Sequence, residues 1–209
     1  MSNLLKDSFF EDFDVSSSYD SEGRPLSVEQ ERFFNSSKCR DEDGRLLVVY
    51  HASNSEFSAF DPKYIRTRNG NIYGDGFYFN DDNFGLDIYG KYVREYYLNL
   101  NNPFVWKYMF KDADYSDNVN KFINMLKQNN FNVSKELHKK LEYDLIDEDG
   151  DIDTLIAKTC GYDSAQAYFK NAGYDGIINF STGDIVAFEP SQIKLCTNRK
   201  PSNSVLLAV

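Results

Sequence analysis

Apolar and polar positions along this chain fall into short blocks of two periods, some alternating like strands and some spaced like helices. After the charged turn DEDG (41–44) comes LLVVY, an apolar, partly β-branched run from Leu46 to Tyr50 that suits a buried strand and delivers His51 at its end. GFYF (76–79) reads as a second strand, 84–91 as a helix, and YVREYYLNL (92–100) as a long aromatic strand stopped by NNP. GIINF (176–180) and DIVAF (184–188) read as two short strands joined by a tight turn at Ser181-Thr182-Gly183.

Helical signals stand between these strands. Ser27 and Gln30 have capping-box spacing and predict a short helix to about Asn35. Ser116 precedes Val119, Phe122, Ile123 and Leu126, the spacing of one apolar helix face. A further helix starts near Ser134, with His138 on its surface, and another runs from Ser164 to Ala172 and stops at Gly173. Strands and helices do not alternate regularly, which predicts an α+β fold rather than a doubly wound sheet.

Composition sets the organisation. Residues 1–26 are rich in Ser, Asp and Glu and read as an acidic arm, 27–197 as one domain, and 198–209 as a tail. Aromatic residues make up 16% of the chain, with 17 Phe and 15 Tyr, enough for a sizeable core. The 33 acidic and 23 basic side chains leave a net charge of −10, which opposes general binding to a nucleic-acid backbone. No run approaches the ~20 apolar residues of a membrane span, and the amino terminus lacks the pattern of a signal peptide. Cys39, Cys160 and Cys196 are widely spaced and form no CxxC pair, so a reducing, cytoplasmic setting without disulfides or a zinc site is expected.

Several chemical motifs fail on register. In the acidic stretch 141–153, placing Gly150 at the glycine of a calcium loop makes the first ligand Leu145 and the last Ile156, and neither coordinates calcium. Gly74-Asp75-Gly76 lacks a third glycine and opens into a strand, unlike a dinucleotide-binding turn. His51 stands where a ligand could approach the rim of a sheet, followed by the small residues Ala52 and Ser53. It serves there either as a hydrogen-bonded structural group or as a ligand contact. Tyr78 and Tyr89 lie on neighbouring elements and form either part of the core or a pair of facing rings.

Three separated strings combine these residues. VVYHAS (48–53), GDGFYFNDDNFGLDIYG (74–90) and GDIVAFEPSQIKL (183–195) resemble, in order, the three motifs of the ADP-ribosyltransferase superfamily of the diphtheria-toxin and poly(ADP-ribose) polymerase type. The chain is most similar to the ADP-ribosyltransferase domains of phage MuF-type and polyvalent proteins, over about Leu26 to Leu195. The resemblance implies a split β-sheet core with flanking helices, and NAD as substrate without a metal.

Carried over residue by residue, the resemblance implies catalytic positions at His51, Tyr78 and Asp184. Asp184 stands where the family has glutamate, one methylene longer, and Glu189 is the second-ranked carboxylate. It further implies NAD contacts by Ala52 and Ser53 at the nicotinamide carboxamide, by Tyr89 stacking on the ring, and by Gly76, Phe79 and Gln192. Arg66 and Arg68, with Lys63, lie in a basic loop that could meet the NAD phosphates or an acidic target.

The chemistry suits such a set. Breaking the nicotinamide bond leaves positive charge on the ribose, which a carboxylate stabilises, while aromatic faces favour the cationic ring. The expected activity is NAD-dependent mono-ADP-ribosyl transfer by an effector or toxin domain of phage, prophage or bacterial origin. Its implied partners are an unknown protein or other macromolecular target and a cognate inhibitor, with no membrane. The alternatives are an NAD glycohydrolase and an inactive, virion-associated binding module of the same fold.

Overall fold

The computed structural model of the protein describes residues 19–65, 73–106, 165–180 and 182–197, with isolated residues between 123 and 139. Its strands are β1 (Val49–Ser53), β2 (Phe77–Asn80), β3 (Tyr92–Leu98), β4 (Phe104–Trp106), β5 (Gly176–Asn179), β6 (Asp184–Ala187) and β7 (Ile193–Leu195). They form one sheet in the order β4-β5-β6-β2-β1-β3-β7, antiparallel except for the β4–β5 pair. The pairing is uneven. β1 pairs with β3 from Val49↔Tyr96 through Ser53↔Tyr92, but with β2 only at Tyr50↔Asn80. The sheet thus falls into two halves, β4-β5-β6-β2 and β1-β3-β7, hinged at one residue pair. This is the expected α+β fold with a split sheet.

Alternation along the strands buries both faces. Val49, Phe77, Phe79, Tyr96, Leu98, Ile178, Ile185, Ala187 and Ile193 pack on one side, and Phe34, Leu46, Val48 and Tyr97 on the other. The helix α1 (Val28–Phe33) starts as predicted: Ser27 Oγ accepts from the Gln30 N–H at 3.2 Å and Gln30 Oε1 accepts from the Ser27 N–H at 2.8 Å. The helix α2 (Ala165–Asn171) ends before Gly173, whose φ of 91° is the left-handed conformation of a helix stop. Of the two central helices, Ile123, Asn124 and Lys127, and Lys135, Glu136 and Lys139, are described and helical. Ile123 is buried, as its place on the apolar face requires. His138, Cys160, the 141–153 stretch and the 198–209 tail lie outside the described residues.

Three expectations change. The first strand begins at Val49 and continues through Ser53, so His51 sits inside it. Leu46 is instead occupied in isolated bridges to Asp20 and Arg40, while the Leu47 N–H donates to the Cys39 carbonyl. The helix expected at 84–91 is a single 3₁₀ turn, Leu86–Ile88, because Gly85 enters it in the left-handed conformation (φ 73°). Finally, structure begins well before Ser27.

The segment 19–25, assigned by composition to a solvated arm, is built into the body. Asp20 is fully buried; its Oδ2 accepts from Arg24 Nε at 2.7 Å and from the Tyr97 hydroxyl at 2.7 Å, and its Oδ1 accepts from the Arg24 N–H at 2.8 Å. Arg24 also pairs with Glu95 on β3. Charges that look solvated one by one are thus paired with each other beneath the sheet. Burial raises the Tyr97 phenol well above its ordinary range, with Cys196 and Asp20 acting in the same direction. No helix of the described residues is long and apolar enough to cross a membrane.

Removing the Asp20 carboxylate strands three buried donors, Arg24 Nε, the Arg24 N–H and the Tyr97 hydroxyl. Asp20→Ala is expected to destabilise the fold by about 3 kcal/mol or more, read as a lowered midpoint in urea unfolding.

Candidate active site at the sheet split

Where β1 and β2 diverge, a side chain replaces the missing ladder. His51 Nδ1 lies 2.8 Å from the carbonyl oxygen of Tyr78. A carbonyl only accepts, so Nδ1 carries the hydrogen and Nε2 of the neutral ring is left as an acceptor. Rings of Phe57, Phe60, Phe79 and Tyr96 surround the imidazole, with centroids 5.0–6.4 Å away. That apolar cage lowers the pKa of His51 below its ordinary 6.5, against the opposing effect of the bond to Tyr78. The ring is therefore neutral near pH 7.

The second cluster forms on the opposite side of β2. Register puts Asn80 opposite Asp184 and Tyr78 opposite Val186, so Tyr78 and Asp184 share one face of adjoining strands. Tyr73 joins them. Its ring stacks on Tyr78 with centroids 6.4 Å apart and planes at 25°, and its N–H donates to the Tyr78 hydroxyl at 3.1 Å. Its own hydroxyl accepts from Asn179 Nδ2 at 2.8 Å and donates to Asp184 Oδ2 at 3.3 Å. Asn80 Nδ2 donates to Asp184 Oδ1 at 3.2 Å, so both carboxylate oxygens are held. Tyr78 completes its bonds by donating to the Gly74 carbonyl at 2.6 Å.

Glycines set the remaining spacing. A Cβ on Gly90 would stand 2.3 Å from the Ser53 carbonyl carbon, so the chain leaving Tyr89 lies directly on the end of β1. A Cβ on Gly76 would stand 2.3 Å from Val186 Cγ1, so only glycine lets β2 start this close to β6. Ala52 and Ser53 are half-buried and paired to Val93 and Tyr92. Tyr89 caps the 3₁₀ turn and lines an open cleft of about 590 Å³ with Asn80, Phe84, Ile88, Phe180 and Asp184. His51 and Tyr78 stand outside that lining, linked to it through Tyr73 and the Tyr78 backbone. Among the described residues no group of His, Cys, Asp or Glu is placed to hold a metal ion.

A family model described as ADP-ribosyltransferase in polyvalent proteins matches residues 41–203. The chain belongs to this family. No curated protein and no solved structure matches it. ADP-ribosyltransferase domains use NAD as substrate.

Within this ADP-ribosyltransferase domain, two residues assigned as NAD contacts from the sequence are engaged by the protein itself. Phe79 is 3% exposed and packs in the core, because alternation turns it away from the face that carries Tyr78 and Asn80. Gln192 spends its amide on backbone: Oε1 accepts from the Phe188 and Glu189 N–H groups at 3.0 and 2.8 Å, and Nε2 donates to the Asp175 carbonyl at 2.8 Å. It shapes the turn after β6, at the far end from Asp184. Glu189 lies at that same far end, paired with Lys170, which leaves Asp184 as the carboxylate beside Tyr73 and Tyr78. Lys63 is paired with Asp61 at 2.7 Å, and Arg66 and Arg68 lie outside the described residues.

Sequence reasoning missed Tyr73, Asn80 and Asn179. Asn80 had a readable signal, since it follows the GFYF strand two residues after Tyr78 on the same face. Tyr73 had none, because its role depends on a loop folding back over β2.

Two outcomes follow from this geometry. Tyr73→Phe keeps the ring stack but removes both the hydrogen bond to Asp184 and the acceptor of the buried Asn179 Nδ2, so kcat for nicotinamide release should fall roughly tenfold with KM for NAD nearly unchanged. His51 has a depressed folded pKa, so its stabilising contribution is present above about pH 6.5 and is lost as pH falls through the folded value. Wild type should therefore lose more stability between neutral and mildly acid pH than His51→Asn, measured by urea unfolding at each pH.

Proposed function

We propose that the protein is an NAD-dependent mono-ADP-ribosyltransferase that modifies a macromolecular target as a phage, prophage or bacterial effector or toxin domain. The observation that carries this reading is the placement of Asp184 and Tyr78 on one face, joined by Tyr73, with a neutral His51 bonded to the Tyr78 carbonyl from the other side of β2. The residues would divide the work by chemistry. Cleavage breaks the bond between the ribose anomeric carbon and the nicotinamide nitrogen; the ring leaves neutral with the electron pair, and the ribose carries the positive charge. Asp184, anchored through both oxygens, stabilises that charge without having to reorganise. His51 Nε2 accepts a hydrogen bond from a ribose hydroxyl. Backbone groups of Ala52 and Ser53 hold the carboxamide, and Tyr78 and Tyr89 offer aromatic faces to the cationic ring.

Arg66 and Arg68 are the cations assigned to the pyrophosphate. Transfer of a single unit is favoured over chain building because the carboxylate that would activate an acceptor ribose is the shorter aspartate. The cleft opens to solvent, which favours a second reading in which water is the acceptor and the activity is NAD glycohydrolysis. A catalytically silent, virion-associated module is the third.

Labelled NAD incubated with the protein and a host lysate separates the three. Transfer to a macromolecule with release of nicotinamide supports the transferase, free ADP-ribose alone supports the glycohydrolase, and no release at all supports the silent module. Asp184→Asn, Tyr78→Ala and His51→Ala should each lower nicotinamide release by roughly a hundredfold or more.

A further inference from the structure

The rim of the cleft beside Asp184 carries features that binding NAD does not use. Phe84 is 90% exposed and Ile88 77% exposed, and both line the opening. Asp81, Asp82 and Asp184 line it as well, and among the described residues no lysine, arginine or histidine does. Asp87 adds a carboxylate on the same 3₁₀ turn. The apolar tips are presented by a fastened loop: the Asp81 N–H donates to the Gly183 carbonyl at 3.0 Å, the Asp82 N–H to Asn80 Oδ1 at 2.9 Å, and the Phe84 N–H to Asp82 Oδ1 at 3.0 Å. Contiguous apolar side chains left in water on a hydrogen-bonded loop mark a surface that a partner covers.

Charge then selects the partner. Carboxylates clustered at this rim attract Lys and Arg and repel the phosphates of a nucleic acid. The rim is continuous with the candidate catalytic acid, where an acceptor must arrive. We propose that this rim docks a cationic segment of a target polypeptide bearing an apolar side chain, so that the macromolecule modified is a protein. The inference rests on the transferase reading above and names the class of its acceptor.

Its test needs no NAD. Fluorescence anisotropy of the full chain is measured with a peptide of alternating arginine and leucine, its counterpart with glutamate for arginine, and a single-stranded DNA oligonucleotide. The basic peptide should bind most tightly, and Phe84→Ser and Ile88→Ser should each weaken it about tenfold. Asp82→Asn keeps the acceptor for the Phe84 N–H and removes the charge, so it should weaken the basic peptide several-fold and flatten its salt dependence. Tighter binding of the oligonucleotide, or basic-peptide binding unchanged by Phe84→Ser and Ile88→Ser, overturns the proposal. Nicotinamide release from NAD alone is measured on the wild type in parallel. Its absence from the wild type would sink the transferase reading, whereas the peptide titrations decide the docking surface independently.

Discussion

β1 and β2 share a single register pair, Tyr50 opposite Asn80, and separate beyond it. Beyond that pair the two strands are joined through a side chain rather than a ladder. The His51 ring supplies a donor to the Tyr78 carbonyl. One contact thereby fixes the tautomer of the imidazole, ties the two half-sheets together and sets the position of β2 relative to β1. A fully zipped β1–β2 pair would satisfy the same carbonyl through backbone.

On the other side of β2, precision comes from a polar network. Tyr73 is 6% exposed and touches both Tyr78 and Asp184, while Asn179 and Asn80 supply the remaining donors. Burial raises the Tyr73 phenol pKa, with the Asp184 charge acting in the same direction against the bonds from Thr182 and Asn179. The hydroxyl therefore stays protonated and is kept as a donor to the carboxylate. Aspartate reaches less far than glutamate, and this network presents it from the edge of β6 without loss of order.

Far from the cleft, a second polar cluster solves a different problem. Asp20, Arg24, Glu95 and Tyr97 pair a segment preceding α1 to the underside of β3. A buried charge is costly when a partner is removed, so the pairing of Asp20 with Arg24 and Tyr97 holds residues 19–25 against β3. The body of the domain is accordingly larger than its apolar pattern alone outlines.

Local physics was legible in the amino-acid sequence. The Ser27–Gln30 cap, the β5–β6 hairpin and the stop at Gly173 depend on neighbours a few residues away, and each lies within a residue or two of its expected place, whereas the first strand moves by three residues. The three motifs also name His51, Tyr78, Tyr89 and Asp184 without any coordinates. What only the tertiary structure decided are relations between distant segments. These are the single pair that joins β1 to β2, the burial of Phe79 against Tyr96, the use of Gln192 as a turn brace, and the loop that lays Tyr73 between Tyr78 and Asp184. They depend on strand register and loop closure, which bring residues more than a hundred positions apart into contact, as Tyr73 and Asp184 are. No local pattern carries that information, because the same aromatic or amide side chain packs, braces or binds according to what the fold places beside it.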